Sequence, residues 1–185
     1  MSRAPGSPEK AGRVPAAGEA VVELLNTRPH FHFGDRLDDP GHAVRVARFF
    51  APGVTEVPAE LLEEIRAVRT DLAAVVTAPD SARAERGWRD FTARTSDVLL
   101  RRDFTDPGEV RLRQVAGDPV VGGIALAVAE LVTSGVWPRV RVCAFDLCSG
   151  AFYDTTRSRT QRWHSYEVCG NRSNVAAYRA RRAAR

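Results

Sequence analysis

The chain has 185 residues, of which 44% are hydrophobic and 27% are charged, and its formal net charge is +4. This length suits one domain with a core, or one domain with a small appended module, and is too short for two full-sized domains. Neither the roughly 18 consecutive apolar residues of a membrane-spanning helix nor the apolar core of a secretory signal is seen, so we expect a cytoplasmic protein without a membrane partner.

The first half of the chain is predicted to be mainly helical. Residues 1–17 are rich in Pro, Gly, Ala and Ser without periodicity, which predicts a disordered tail. Short helices are predicted in "GEAVVELLNT" and "HAVRVARFF", with a loop between them. The clearest helix begins near Pro58, because its apolar residues recur at three- and four-residue steps and form one stripe: Leu61, Leu62, Ile65, Val68, Leu72, Val75 and Val76.

The next elements complete the predicted helical region. A further amphipathic helix is predicted from Ala82 to Leu100, followed by a strand in "EVRLRQVA", where apolar and polar residues alternate. "PVVGGIALAVAELVTSG" is apolar on more than one side and predicts a central buried helix. Gly122 and Gly123 weaken the start of this helix by about 1 kcal/mol each relative to Ala.

The pattern changes after Pro138. "RVRVCAFDLCSGAFYDTT" predicts strand, tight turn and strand, and "SYEVCGNRSNVAAYRARRAAR" predicts a helix. This segment has too little apolar material for its own core. The predicted fold class is therefore α+β: a tail (1–17), a predominantly helical domain with a short β element (18–138), and a small module made of a β-hairpin plus a helix (139–185).

The three cysteines lie within 27 residues of one another, in this last segment. Cys143 and Cys148 form one close pair, and His164 and Cys169 form another after fifteen intervening residues. Two such pairs separated by a loop are typical of a tetrahedral zinc site, and four protein ligands leave no position for a catalytic water. We therefore predict one structural Zn²⁺ per chain, held by a small C-terminal treble-clef-like zinc finger at residues 139–185. Buried inert cysteines, or a redox pair at Cys143 and Cys148, are the alternatives.

The stretch from "CAFDLC" to "CGNRSNVAAYRARR" resembles the CGNR zinc finger, whose name is the tetrapeptide Cys169 to Arg172. The resemblance covers about 40 residues and includes the paired cysteines, the Phe152-Tyr153-Asp154 strand and the Trp before the third ligand. It implies a helical domain called ABATE in front of the finger and a role as a bacterial stress-induced transcription regulator. The family usually has Cys as the third ligand, often in "WCS", whereas this chain has "WHS" with His164.

Basic residues are concentrated around the predicted metal site. From Arg139 onward ten Arg face three acidic residues, a charge of +7, whereas the preceding 138 residues carry −3. A zinc-ordered arginine helix can contact a DNA groove, and loop arginines can neutralise phosphates. The predicted DNA-binding residues are Arg157, Arg159, Arg162, Arg172, Arg179, Arg181 and Arg182.

Other residues of the predicted C-terminal helix are given structural roles. Val168, Val175 and Tyr178 are expected to face the body of the module, and Asn171 to cap the helix. Arg172 has a second interpretation, as a donor to carbonyls around the metal site. The arginines as a group could also pair with acidic residues of the helical domain.

A second histidine-rich segment leaves another function open. "PHFHFGDRLDDPGH" contains the remaining histidines and three aspartates: His30, His32, His42, Asp35, Asp38 and Asp39. Its spacing matches no metal motif, so we expect a non-enzymatic, zinc-dependent DNA-binding regulator whose N-terminal domain senses a ligand or partner. A zinc-stabilised protein-interaction module and a hydrolase using this loop are the alternatives. A single finger makes few base contacts, so a homodimer is also considered.

Overall fold

The structure is a computed structural model that describes residues 12–30, 33–106 and 108–183. Its main helices are α1 (Ala16–Leu25), α2 (Pro40–Phe50), α3 (Ala59–Thr77), α4 (Ala82–Arg94), α5 (Pro119–Thr133) and α6 (Asn171–Ala183). Its strands are β1 (Leu99–Asp106), β2 (Glu109–Ala116), β3 (Val140–Val142) and β4 (Ala151–Tyr153). A helical region with one hairpin thus precedes a second hairpin and a helix, which confirms the predicted α+β class.

One apolar core joins the helices of the first 133 residues. Val21 and Leu24 of α1, Leu72 of α3 and Ile124 of α5 have no exposed side-chain surface. The stripe predicted on α3 faces this core. Leu61 and Leu62 are half-buried at its start, and its other members are buried: Ile65, Val68, Leu72, Val75 and Val76. In the described ranges no helix is both long and apolar enough to cross a bilayer.

The glycine pair in α5 marks two close approaches of other elements. A Cβ at Gly122 would collide with the side-chain amide of Gln114 on β2. A Cβ at Gly123 would collide with the carbonyl oxygen of Phe50 at the end of α2. Asp118 offsets the low helix propensity of the two glycines by capping the helix: its carboxylate accepts hydrogen bonds from two backbone N–H groups of the first turn. The helix therefore begins at Pro119 despite the two glycines.

Two predicted boundaries differ from the structure. α1 begins at Ala16, inside the segment predicted to be a tail, and residues 1–11 lie outside the described ranges. The helix predicted to reach Leu100 ends at Arg94, and Leu99 begins a strand that pairs with Ala116. The apolar residues after Asp97 continue the helical pattern locally, but pairing with β2 supplies backbone partners that a helix would not.

The C-terminal hairpin is attached to α1. Val140 and Ala151 belong to the main core, and the side chain of Asn26 exchanges two hydrogen bonds with the backbone of Ala151, at 3.0 and 2.7 Å. The ring of Tyr153 lies over Gly18, where a Cβ would approach it to 2.9 Å. The hairpin therefore has its apolar support in the helical body.

Candidate metal centre

The first pair of potential ligands is held by the turn between β3 and β4. The N–H of Cys143 donates to the carbonyl of Gly150 at 2.8 Å, and the N–H of Cys148 donates to the carbonyl of Phe145 at 2.8 Å. Ser149 adopts a left-handed conformation with φ of 53°, which turns the chain back toward β4. Both thiols consequently point to the same side of the turn.

The second pair comes from the segment that leads into α6. Cys169 lies in a π-helical turn, Tyr166–Gly170, whose start is capped by Ser165: its hydroxyl accepts from the N–H of Val168 and its carbonyl accepts from the N–H of Cys169. The N–H of Ala144 donates to the carbonyl of Arg162 at 2.8 Å, which ties this segment to the first turn. His164 is thereby brought opposite Cys148.

All four predicted ligands converge. Their ligand atoms lie within 4.8 Å of one another, and Nδ1 of His164 lies 3.3 Å from Sγ of Cys148 and 3.7 Å from Sγ of Cys169. A tetrahedral Zn²⁺ with ordinary bond lengths separates sulfur and nitrogen ligands by about 3.5 Å and two sulfurs by about 3.8 Å. The residues therefore fit one structural Zn²⁺, which a modest contraction of the widest pair would accommodate.

The donor set and its burial agree with a structural metal. Cys143 and Cys169 are buried, Cys148 is half-buried and His164 is exposed. Three sulfurs and one imidazole favour zinc over the oxygen-seeking cations. Bound Zn²⁺ would supply the cross-link that this small segment cannot obtain from apolar packing.

The surroundings of Cys169 favour the protonated form of its thiol. Burial, together with hydrogen bonds to Cys148 and Cys143, raises the pKa of Cys169 to about 12. Zinc coordinates the thiolate, so metal binding must displace this proton.

Residues 139–182 match the family model of the CGNR zinc finger. This segment is a CGNR zinc finger. The match confirms the resemblance over these residues, which include all four predicted metal ligands. No curated protein matches the chain.

Asp154 organises the loop between the two ligand pairs of the CGNR finger. Its side chain is fully buried and accepts hydrogen bonds from the N–H and hydroxyl of Thr156, the N–H of Gln161 and the guanidinium of Arg141. Burial pushes the pKa of Asp154 upward, but these donors outweigh it and the pKa is lowered. The sequence analysis names Asp154 only as part of the motif that carries the family resemblance and assigns it no contacts, because its partners are brought to it only when the loop folds.

The predicted DNA-binding arginines of the finger are all exposed. They occur on two surfaces: Arg157, Arg159 and Arg162 in the loop, and Arg172, Arg179, Arg181 and Arg182 on α6. Arg162 lies against the ring of Trp163 at 5.1 Å, and Arg182 against that of Tyr178 at 6.0 Å. Within residues 12–30, 33–106 and 108–183, none of the seven forms an ion pair, including with the acidic residues of the helical region.

Two expectations about the finger's helix are wrong. Val168, Val175 and Tyr178 do not face the body of the module, since they are 48%, 48% and 54% exposed and α6 buries none of its residues. Asn171 does not cap the helix start: its side-chain amide donates to the carbonyl of Glu167, one turn earlier. The π-helical turn moves the true cap back to Ser165.

Arg172 belongs to the exposed surface. In the described part of the chain its guanidinium has no hydrogen bond to carbonyls of the metal site. Arg139 and Arg141 fill that structural role, donating to the carbonyls of Asp154 and Arg159. Arg172 therefore remains available to a partner.

The aspartates of the N-terminal loop support the helical fold. Asp35 accepts hydrogen bonds from the buried guanidinium of Arg69, at 2.7 and 2.5 Å, which lowers the pKa of Asp35. Asp39 caps α2 through the N–H of His42 at 2.7 Å. Asp38 pairs with Arg66 at 2.5 Å.

The histidines of that loop are held separately. His42 is buried, and its Nδ1 lies 2.7 Å from the guanidinium of Arg45; burial and the nearby Arg36 and Arg45 lower its pKa. Nδ1 of His30 lies 3.0 Å from the carbonyl oxygen of Arg28, and His32 lies outside the described residues. Among the described residues, the Cys₃His group of the finger is the set whose ligand atoms converge as a metal site requires.

Proposed function

We propose that this protein binds duplex DNA through its CGNR zinc finger and acts in transcription regulation, with a binding rather than a catalytic role. One observation supports this most directly. α6 is an exposed helix that directly follows the turn carrying Cys169, and its arginines have no ion pair in the described part of the chain. Zinc would set the direction of this helix, and its charges are available to an acidic partner.

The composition of the exposed face of α6 suits a DNA groove. Arg172, Val175 and Arg179 are separated by three and four residues, as are Val175, Tyr178 and Arg182, so all five share one face. Arg donates to guanine edges and phosphates, whereas apolar side chains contact thymine methyl groups. A short helix outside a core is marginal in water, so α6 gains stability when a groove encloses this face.

The loop of the finger provides a second basic surface. Arg157 and Arg159 are exposed, and Arg159 lies in a tight turn with a left-handed backbone, φ 55°. Arginines of this kind neutralise phosphates without reading sequence. Each such contact steepens the salt dependence of binding by about 0.9 in the log–log slope.

The helical region supplies a place where an effector could influence the finger. A groove of about 420 Å³ lies between α1 and β4 and reaches the imidazole of His164. Val22, Glu23, Phe152 and Tyr153 line it. A small molecule held there would touch both the helical body and a zinc ligand, which supports a sensing role for the N-terminal region.

The proposal is tested by fluorescence anisotropy of the zinc-loaded protein with a random-sequence duplex between about 50 and 200 mM salt. Arg159→Gln should lower the salt slope by about 0.9. Arg179→Gln should weaken binding by about 1–3 kcal/mol, more than Arg181→Gln, because Arg181 is two residues away and points off the shared face. Arg89→Gln, an exposed arginine on α4, is the matched control and should change neither quantity.

Other outcomes distinguish the alternatives. Absence of binding at low salt, or binding that does not weaken with salt, would contradict a DNA-binding role. A partner protein captured equally well after nuclease treatment, and lost in Arg179→Gln, would instead identify the finger as a protein-interaction module.

A further inference from the structure

The β-arm, defined as β1 and β2 together, is a two-stranded sheet with unusually exposed apolar side chains. Phe104 is 76% exposed, and Leu99, Val110, Leu112 and Val115 are each between 43% and 56% exposed. No third strand joins this sheet among the residues that the structure describes. An isolated hairpin is marginally stable in water, and an open strand edge tends to pair with another chain.

The charge of the β-arm distinguishes it from the finger. Residues 99–116 contain four Arg, two Asp and one Glu, a net charge of only +1. Asp103 already accepts hydrogen bonds from Arg101 and Arg113, each at 3.0 Å. Nearly balanced charges with exposed apolar residues fit a protein surface of similar composition better than the phosphates of a nucleic acid.

The sequence of β1 is complementary to a second copy of β1 that runs antiparallel to it. In an antiparallel pairing that is symmetric about Arg102, Arg101 lies opposite Asp103 of a second copy, and Asp103 lies opposite that copy's Arg101. The same register brings the half-buried Leu100 across from the exposed Phe104 of the second copy, at the end of the regular part of β1, whose register shifts between Asp103 and Asp106. Opposite charges and apolar pairs facing each other across strands are the contacts that stabilise a sheet.

We propose that the β-arm is a homodimer interface, in which the free edges of two β1 strands pair antiparallel and form a four-stranded sheet. The two-fold axis repeats each favourable contact, so two Arg101–Asp103 pairs and two Leu100–Phe104 pairs form together. One unfavourable contact remains, because the Arg102 side chains of the two copies lie opposite each other at the two-fold axis. The Arg102 side chain is exposed and long enough to turn into solvent.

The interface does not depend on the proposed DNA binding. If both hold, each dimer carries two fingers, which would supply the second DNA-contacting surface that a single finger lacks.

Sedimentation velocity of the full-length zinc-loaded protein, without DNA, tests the interface from low to high micromolar concentration. The wild-type chain should form a concentration-dependent dimer. Arg101→Asp and Asp103→Arg should each raise the dimer dissociation constant at least about tenfold, because each places like charges opposite one another twice. Arg89→Asp, on α4, is the control and should leave the dimer unchanged.

Mixing the two charge variants provides the decisive measurement. Asp103→Arg presents two arginines and Arg101→Asp presents two aspartates, so an equimolar mixture should form a heterodimer although each alone is monomeric. Arg102→Thr should tighten the wild-type dimer about two- to fivefold by removing the like-charge contact. Circular dichroism and zinc content show that each variant is folded.

Two results would overturn the proposal: a wild-type chain that stays monomeric throughout this range, or folded charge variants that fail to pair on mixing. A dimer that survives both single variants would place the interface elsewhere on the chain. Since DNA is absent from every sample, none of these results bears on the function proposed for the finger.

Discussion

Nδ1 of His164 lies 3.3 Å from Sγ of Cys148, close to the separation that a shared tetrahedral Zn²⁺ imposes on its nitrogen and sulfur ligands. The imidazole is exposed, whereas Cys143 and Cys169 are buried behind it. The site is therefore completed from the solvent side by its single imidazole ligand.

His164→Ala should weaken zinc binding and His164→Cys should restore it. Loss of a group that only supports a ligand costs about 10- to 100-fold in metal affinity, so loss of a direct ligand should cost at least as much. Competition with a coloured chelator measures the change. His30→Ala is the control, because His30 lies outside the Cys₃His group. Unchanged affinity in His164→Ala would mean that another group is the fourth ligand.

Cys169→Ser should abolish stoichiometric zinc binding and disorder the arginine-rich loop and α6, while the helical body stays folded. The metal supplies order that local packing does not, because α6 buries none of its residues. Limited digestion with trypsin should then cleave the arginine-rich segment first and leave a stable fragment that retains α1 to α5. Cys148→Ser should behave alike. Retention of one zinc per chain in either variant would contradict the assigned site.

Asp35→Asn should destabilise the helical body by about 3–5 kcal/mol, because it leaves the buried guanidinium of Arg69 without a balancing charge. Asp38 provides the control: its carboxylate is exposed although it pairs with the half-buried Arg66, so Asp38→Asn should cost less than about 1 kcal/mol. Urea denaturation measures both differences at neutral pH. Equal effects of the two substitutions would contradict the buried pair.

The contribution of Asp35 should also depend on pH. Its pKa is lowered in the folded state, chiefly by the hydrogen bonds from Arg69, so the folded state favours the charged carboxylate. The stabilisation is complete above the unfolded-state pKa of about 3.9 and is lost as the pH falls through the lower folded pKa. The stability difference between wild type and Asp35→Asn should shrink in that acidic window, as measured by paired unfolding curves. A constant difference would exclude the ionic contribution.

Gly18→Ala should destabilise the protein by about 1–3 kcal/mol, although Ala is the better helix former by about 1 kcal/mol. The added Cβ would lie 2.9 Å from the ring of Tyr153 and would push β4 away from α1. Thermal unfolding at fixed zinc concentration measures the change. Gly53→Ala, where no atom lies within 4 Å of the added carbon, should be close to neutral. A stabilised Gly18→Ala variant would show that the hairpin moves freely on α1.

Local sequence patterns were sufficient to predict most of the helices and the four metal ligands. The apolar stripe of α3 is a property of neighbouring turns, and α3 lies where periodicity predicts it. The four ligands are recognisable because metal chemistry restricts them to few residue types at close spacing. Both signals are contained within short stretches of chain, so they can be seen before the chain folds.

Tertiary structure decided the features that depend on distant partners. Leu99 continues a helical pattern, yet it is a strand residue because Ala116 pairs with it. Asp154 has an ordinary local sequence, and its burial among Thr156, Gln161 and Arg141 appears only when the loop closes.

The exposed face of α6 is a second case in which the local sequence did not predict burial correctly. Val175 and Tyr178 suggested a buried side, but packing requires an element opposite them, and α6 buries none of its residues in the described structure. The sequence by itself determined which residues can hold zinc and which segments can be helical, because those are short-range properties. Only the folded chain decided which strand pairs, which carboxylate is enclosed and which arginines remain available, because those depend on contacts between segments far apart in the chain.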